Sequence, residues 1–201
     1  MKRFISCLVA LLLFIQITFA VTVDKDNRVP NRPDGYCVWC CVDMVARQFG
    51  HKTLIGITDR KEQEKVWNGR EWVKASGGAD MGMLISELKQ HPIKYWVQWP
   101  GDRNTDILSK AKAADLPVIF GTKDYPVQGY AHAMLLIDYD KETIKFIDPN
   151  DASRIYSGSW EWFFYYWDGY AAVIERPESK VIKNGTKNGT KSFSYVSTKS
   201  D

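Results

Sequence analysis

After residue 20 the sequence has no apolar run long enough to cross a bilayer, which excludes an internal membrane span. Strong charge of either sign is also missing. The formal net charge is +3, and setting aside Lys2 and Arg3 leaves 25 basic against 24 acidic residues. That balance carries no footprint of a nucleic acid or an acidic membrane as partner. Histidine is scarce, three in the whole chain, and cysteine counts only four. A zinc site from Cys37, Cys40 and His132 lacks the paired second half of a structural zinc motif. No cofactor and no metal are expected.

What is present begins with a basic pair, Lys2-Arg3, followed by an apolar run from Phe4 to Phe19 and a small residue at Ala20. This is the layout of a secretory signal peptide, 1–20, cut after Ala20, so the chain is expected to be secreted or periplasmic and free of the membrane after cleavage. A retained N-terminal anchor is the alternative, because the run is nearly long enough to span a bilayer. The remaining chain is the size of one ordinary domain, 21–177. From Pro177 onward Lys, Ser, Thr, Gly and Asn dominate, and "KNGTKNGT" repeats in tandem. Such a stretch buries too little apolar surface to offset its ordering entropy, so 178–201 is read as a disordered polar tail. Asn184 and Asn188 sit in N-x-T acceptors that matter only in a glycosylating host.

Residues 21–36 are polar and punctuated by Pro and Gly, as in a surface loop. Apolar spacing then predicts a helix from Cys37 to Phe49, stopped by Gly50. Further helices are expected over 61–74, over 80–90 before Pro92, and from a Thr105 cap to about Ala114. Strands are expected at 93–99, at "PVIFG", in "AHAMLLIDYD" and "TIKFIDPN", and at "YAAVIER" after an aromatic helix around "SWEWFFYYWDG". Helices first and antiparallel strands afterwards is α+β logic.

Three thiols crowd into "GYCVWCC", an odd number once Cys7 has left with the leader, so even one disulfide leaves one thiol over. Cys37 falls in the first turn of a helix, where unpaired amides and the positive end of the dipole favour thiolate over thiol. Its plainer alternative is a small buried hydrophobe. Cys41, one turn beyond, is read as an inward structural thiol. His51 and His91 border loops and read as surface residues, whereas His132 stands in an apolar strand, where an unpartnered ring would be costly. Period-two alternation puts His132, Met134 and Leu136 on one face, and Ile144, Phe146 and Asp148 on one face of the next strand. A three-residue hairpin loop makes those faces coincide, with Asp148 opposite His132 or one diagonal step away; a loop of two or four breaks the parity. Asp before Pro can equally serve only to cap a turn. A nucleophile at a helix start, a distant histidine and an acid on the neighbouring strand follow the order of a Cys-His-Asp hydrolase.

These blocks resemble a papain-like cysteine peptidase of the bacteriocin-leader-processing, C39-like group. "CVWCCVDMVARQFG" resembles that group's nucleophile helix, "HAMLLIDYDKETIKFIDP" its His block followed by Asp-Pro, and "SWEWFFYYWDGYAAVIE" its closing helix and strand. The resemblance covers roughly 31–176, with a poorly matching middle. It implies an α+β papain-like fold, with an N-terminal nucleophile helix packed on a mostly antiparallel sheet. It also implies a peptide or protein substrate and a catalytic set of Cys37, His132, Asp148 and Asn31. Val38 stands where the group usually has Gly, and Asn31 takes the offset of its oxyanion Gln; Asn carries the same donor on a shorter stem, so the loop must come closer. Two other readings use the same residues. Cys37-Val38-Trp39-Cys40 is a C-x-x-C at a helix start, as in thiol-disulfide oxidoreductases, although "NRPDGY" offers no strand leading into it. A papain-like binding module with a degraded site is the other.

Overall fold

The computed structural model describes residues 21–178. The expected leader, 1–20, and the expected tail apart from Glu178 lie outside the described residues. The first helix forms with the bounds that its spacing predicts, α1 at Cys37–Phe49, and Gly50 closes it with φ 73°, a left-handed conformation glycine adopts without a Cβ penalty. Every residue from Cys37 to Ala46 is buried, so α1 is an interior helix and not a surface helix with one apolar stripe. Its buried charge, Asp43, accepts from Arg47 Nε at 2.8 Å and from the amides of Gly56 at 2.9 Å and Thr58 at 3.4 Å. Those donors compensate the burial and tie α1 to α2, Ile57–Gln63.

The helix expected over 61–74 is not there. In its place α2 ends at Gln63 and a hairpin follows, β1 Lys65–Trp67 and β2 Trp72–Lys74, with Trp67 paired to Trp72. Asn68-Gly69 decides it: Gly69 takes φ 94°, and the Asn68 side chain accepts from the amides of Arg70 and Glu71, both at 2.9 Å. An Asn-Gly turn between Val66-Trp67 and Trp72-Val73 outweighs weak helical spacing. Next come α3, Met81–Leu88, capped by Asp80 accepting from the Met83 amide at 2.8 Å, then β3, Tyr95–Gln98, and α4, Asp106–Ala113. Thr105 occupies the cap position of α4, but its hydroxyl makes no capping bond; Asn104 Oδ1 accepts from the Asp106 amide instead, at 2.9 Å.

The remaining elements are β4 Val118–Thr122, β5 His132–Tyr139, β6 Thr143–Ile147, β7 Tyr156–Ser159, α5 Trp160–Tyr166 and β8 Trp167–Ile174. They build a six-stranded sheet in the order β3-β8-β4-β5-β6-β7, antiparallel throughout, which is the expected α+β class. Strand alternation separates two cores. Ala133, Leu135 and Ile137 join the cluster around α1, whereas Met134, Leu136, Ile144 and Phe146 join one around α4 and α5. Of the aromatic helix only Phe163 is fully buried; Tyr165 faces solvent, and Trp162 stacks on Phe146 at 5.0 Å between ring centroids. His51 is a further correction: it is buried, with Nε2 2.7 Å from the Glu175 carbonyl, because the chain after Gly50 turns back under the end of β8. Among the described residues no helix is long and apolar enough to cross a membrane.

Candidate active site

Two chain starts converge here, Cys37 at the head of α1 and His132 at the head of β5. The first intrahelical bond of α1 runs from the Cys40 amide to the Tyr36 carbonyl at 2.9 Å, and Tyr36 supplies no side-chain cap. The amides of Cys37, Val38 and Trp39 therefore stand ahead of the hydrogen-bond ladder, at the positive end of the helix dipole. The Cys37 sulfur itself lies 3.9 Å from the Gly35 carbonyl. Cys37 and His132 line one cavity of about 380 Å³, together with Gly78, Gly121, Tyr130 and Tyr170 among others.

His132 is buried, and its Nε2 lies 2.7 Å from Asp148 Oδ1. An ionised carboxylate can only accept, so Nε2 carries the proton and Nδ1 is left with its lone pair in the neutral ring. Nδ1 is buried and has no hydrogen-bond partner among the described residues. Burial disfavours the imidazolium, but the bond to Asp148 and the interaction with the Cys37 side chain outweigh it, and the His132 pKa is raised to about 9. The strand is steadied from behind by Thr122, whose hydroxyl donates to the His132 carbonyl at 3.2 Å. Tyr130 lies over the ring, 6.0 Å between centroids.

Asp148 reaches the histidine by a route that the parity argument anticipated only in part. The β5–β6 turn is closed by the Asp140 amide donating to the Thr143 carbonyl at 2.9 Å, which leaves two residues, Lys141 and Glu142, between the strands; a loop of that length breaks the parity. A bulge between Leu136 and Asp138 then restores it, giving Leu136↔Phe146 and Leu135↔Ile147. That register puts Asp148 one diagonal step from His132. The turn reading of Asp148 holds at the same time, because Oδ1 also accepts from the Asn150 amide at 2.8 Å and caps the short 3-10 turn Pro149–Asp151.

Asn31 is placed elsewhere. Its Nδ2 donates to Asn150 Oδ1 at 2.8 Å, its Oδ1 accepts from the Arg32 amide, its backbone amide donates to the Pro149 carbonyl at 2.7 Å, and it does not line the cavity. The short stem that would have to bring an amide to an oxyanion instead braces the Asp148–Asn150 turn. Sequence reasoning missed Asn150, whose Nδ2 is 3.3 Å from His132 Nε2; the signal was the Asn of "DPN", taken only as a turn former. Cys37, Cys40 and Cys41 are all free thiols. Cys40 is fully buried, directs its sulfur to the Pro30 carbonyl at 3.5 Å, and has its pKa pushed by burial up to about 12. Burial likewise raises Cys41.

No family model matches the chain, and no curated protein matches it. Solved structures do. The chain is similar to a Bacillus anthracis protein assigned to the C39-like peptidases, with a TM-score of 0.57 at 17% identity over 77% of this chain and 97% of the other. The peptidase domain of Streptococcus mutans ComA, solved with a small-molecule inhibitor, aligns with a TM-score of 0.46 at 14% identity over 73% of this chain and 96% of that domain. The fold is that of a C39-like, papain-like peptidase.

Proposed function

We propose that the protein is an exported cysteine peptidase, or a related acyl-transfer hydrolase, acting on a peptide or protein substrate through Cys37, His132 and Asp148. One observation carries the reading: a buried histidine held by a carboxylate on Nε2, with Nδ1 unpartnered, in the cavity that holds a first-turn cysteine. In this scheme His132 Nδ1 takes the Cys37 proton, and the thiolate adds to the substrate carbonyl carbon. The carbonyl electron pair moves to oxygen, where the free Cys37 amide donates to it. Collapse expels the amine, protonated by His132, and leaves a thioester on Cys37 that water resolves for a hydrolase or a second amine for a transferase. Asp148 holds the ring in the tautomer this requires, and Asn31 acts on it through Asn150.

The C-x-x-C reading is disfavoured because the partner thiol, Cys40, is enclosed and strongly biased to its neutral form. The test is the rate of Cys37 alkylation by iodoacetamide against pH, read by peptide mass spectrometry, beside cleavage of a denatured protein. Cys37 is expected to react selectively, His132→Ala to slow it by about tenfold or more at neutral pH, and Cys37→Ala to abolish cleavage. Alkylation indifferent to His132 would sink the acyl-transfer mechanism; cleavage surviving Cys37→Ala would remove the nucleophile.

A further inference from the structure

The cavity beside Cys37 has a sign. Two carboxylates, Asp34 and Asp168, stand in its lining, no lysine or arginine does, and the cationic group there, His132, is already paired with Asp148. Asp34 is already paired, with Lys74 Nζ at 3.3 Å. Asp168 has no cation partner among the described residues; its Oδ1 accepts only the Tyr170 amide, at 2.7 Å. A Cβ placed on Gly121 would lie 3.1 Å from that oxygen and 2.7 Å from Tyr170 Cβ. The Asp168 carboxylate and the root of the Tyr170 side chain therefore fill the space that a Cβ on Gly121 would take, in the lining of the cavity. Tyr170 is 5% exposed and its hydroxyl has no hydrogen-bond partner among the described residues, so a buried unsatisfied hydroxyl stands beside the unpaired carboxylate.

Resting on the peptidase reading, we infer that Asp168 selects the substrate: the cavity seats a lysine or arginine side chain of the peptide against the Asp168 carboxylate. The neighbouring walls, Gly78, Ala79 and Ala133, are small and leave room for a long aliphatic stem. An ammonium or guanidinium at its end supplies the cation that Asp168 lacks. A glutamate there would meet like charge, and a leucine would desolvate the carboxylate without a partner, so discrimination has both an attractive and a repulsive part.

Two readouts test it, each on the wild type and on Asp168→Asn, which keeps the acceptor for the Tyr170 amide. In the first, fluorogenic tetrapeptides carry Lys, Arg, Leu or Glu at each position in turn. The wild type is expected to favour Lys and Arg over Leu at one position by about tenfold or more in kcat/KM, and the variant to lose that preference. The second needs no turnover. Cys37 is modified by the cationic 2-aminoethyl or the anionic 2-sulfonatoethyl methanethiosulfonate, each rate divided by that of the neutral methyl reagent. The thiolate attacks the sulfenyl sulfur, a disulfide forms and methanesulfinate leaves. The cationic-to-anionic ratio is expected to fall by about tenfold in Asp168→Asn. If the wild type cleaves no peptide, the peptidase reading falls and takes the substrate class with it. An unchanged reagent ratio overturns the role of Asp168 whatever the enzyme cleaves, and so does a peptide profile without a basic preference.

Discussion

At the residue scale, His132 is pulled in two directions. Burial works against its charge, while Asp148 on one nitrogen and Cys37 from the cavity side work for it, and the second pair prevails with a pKa raised to about 9. The thiolate–imidazolium pair proposed above needs that proton, so kcat/KM is expected to fall on the alkaline side around pH 9. Asp148→Asn removes the carboxylate hydrogen-bonded to the imidazolium and moves the alkaline limb toward the ordinary histidine value of about 6.5. A pH–rate profile of both proteins checks this; a limb that stays in place would mean that Asp148 only caps its turn. Asn31 gives a second residue-scale prediction. Its amide is bonded to Asn150, so Asn31→Ala should loosen the turn carrying Asp148 and slow both peptide cleavage and iodoacetamide alkylation of Cys37. An oxyanion donor behaves differently, since alkylation forms no oxyanion: its loss would lower cleavage by about 10²-fold and leave alkylation alone.

At the element scale, what could be read in the sequence depended on whether a local signal had a rival. The start and stop of α1 were legible because helical spacing and Gly50 agree. The 61–74 segment was misread because its Asn-Gly turn competes with a passable helical pattern, and the turn wins through the Arg70 and Glu71 amides donating to the Asn68 side chain. The His132–Asp148 pairing was legible as a parity argument but not in its route, because a bulge in β5 depends on packing between strands. Asp43 gave no signal at all: a buried carboxylate looks like any helix-surface acid until the Gly56 and Thr58 amides meet it in three dimensions. Removing it with Asp43→Ala strands those amides and is expected to cost about 2 kcal/mol or more of stability, measured by urea unfolding. Gly121→Ala is a sharper case, because the added Cβ would stand 2.7 Å from Tyr170 Cβ. The strands must part or Tyr170 must move, at about 1–3 kcal/mol, and the cavity that both residues line deforms with them.

At the scale of the whole molecule, buried titratable groups on both sides of the sheet-and-helix interface fix how stability responds to pH. His132, raised from 6.5 to about 9, binds its proton more tightly folded than unfolded, so its contribution is complete below about pH 6.5 and is lost as pH rises to about 9. Cys40 and Cys41 carry the loss further. Their thiols ionise more readily in the unfolded chain, from about pH 9 upward, so rising pH favours unfolding, for Cys40 up to about 12. His51 has the opposite sign: buried and lowered below 6.5, it stabilises the fold above that value and withdraws the contribution as pH falls. The two histidines thus bracket a maximum in stability close to pH 6.5, with a long decline on the alkaline side in two stages. Thermal unfolding from pH 5 to 11 is expected to show that decline in the wild type. His132→Gln should flatten the stage between about 6.5 and 9 and leave the later one, and Cys40→Ser with Cys41→Ala should do the reverse. If His132→Gln unfolds with the same slope as the wild type between pH 6.5 and 9, the imidazolium is not held by the folded protein, and the charge state that the proposed mechanism requires beside Cys37 is not built into the fold.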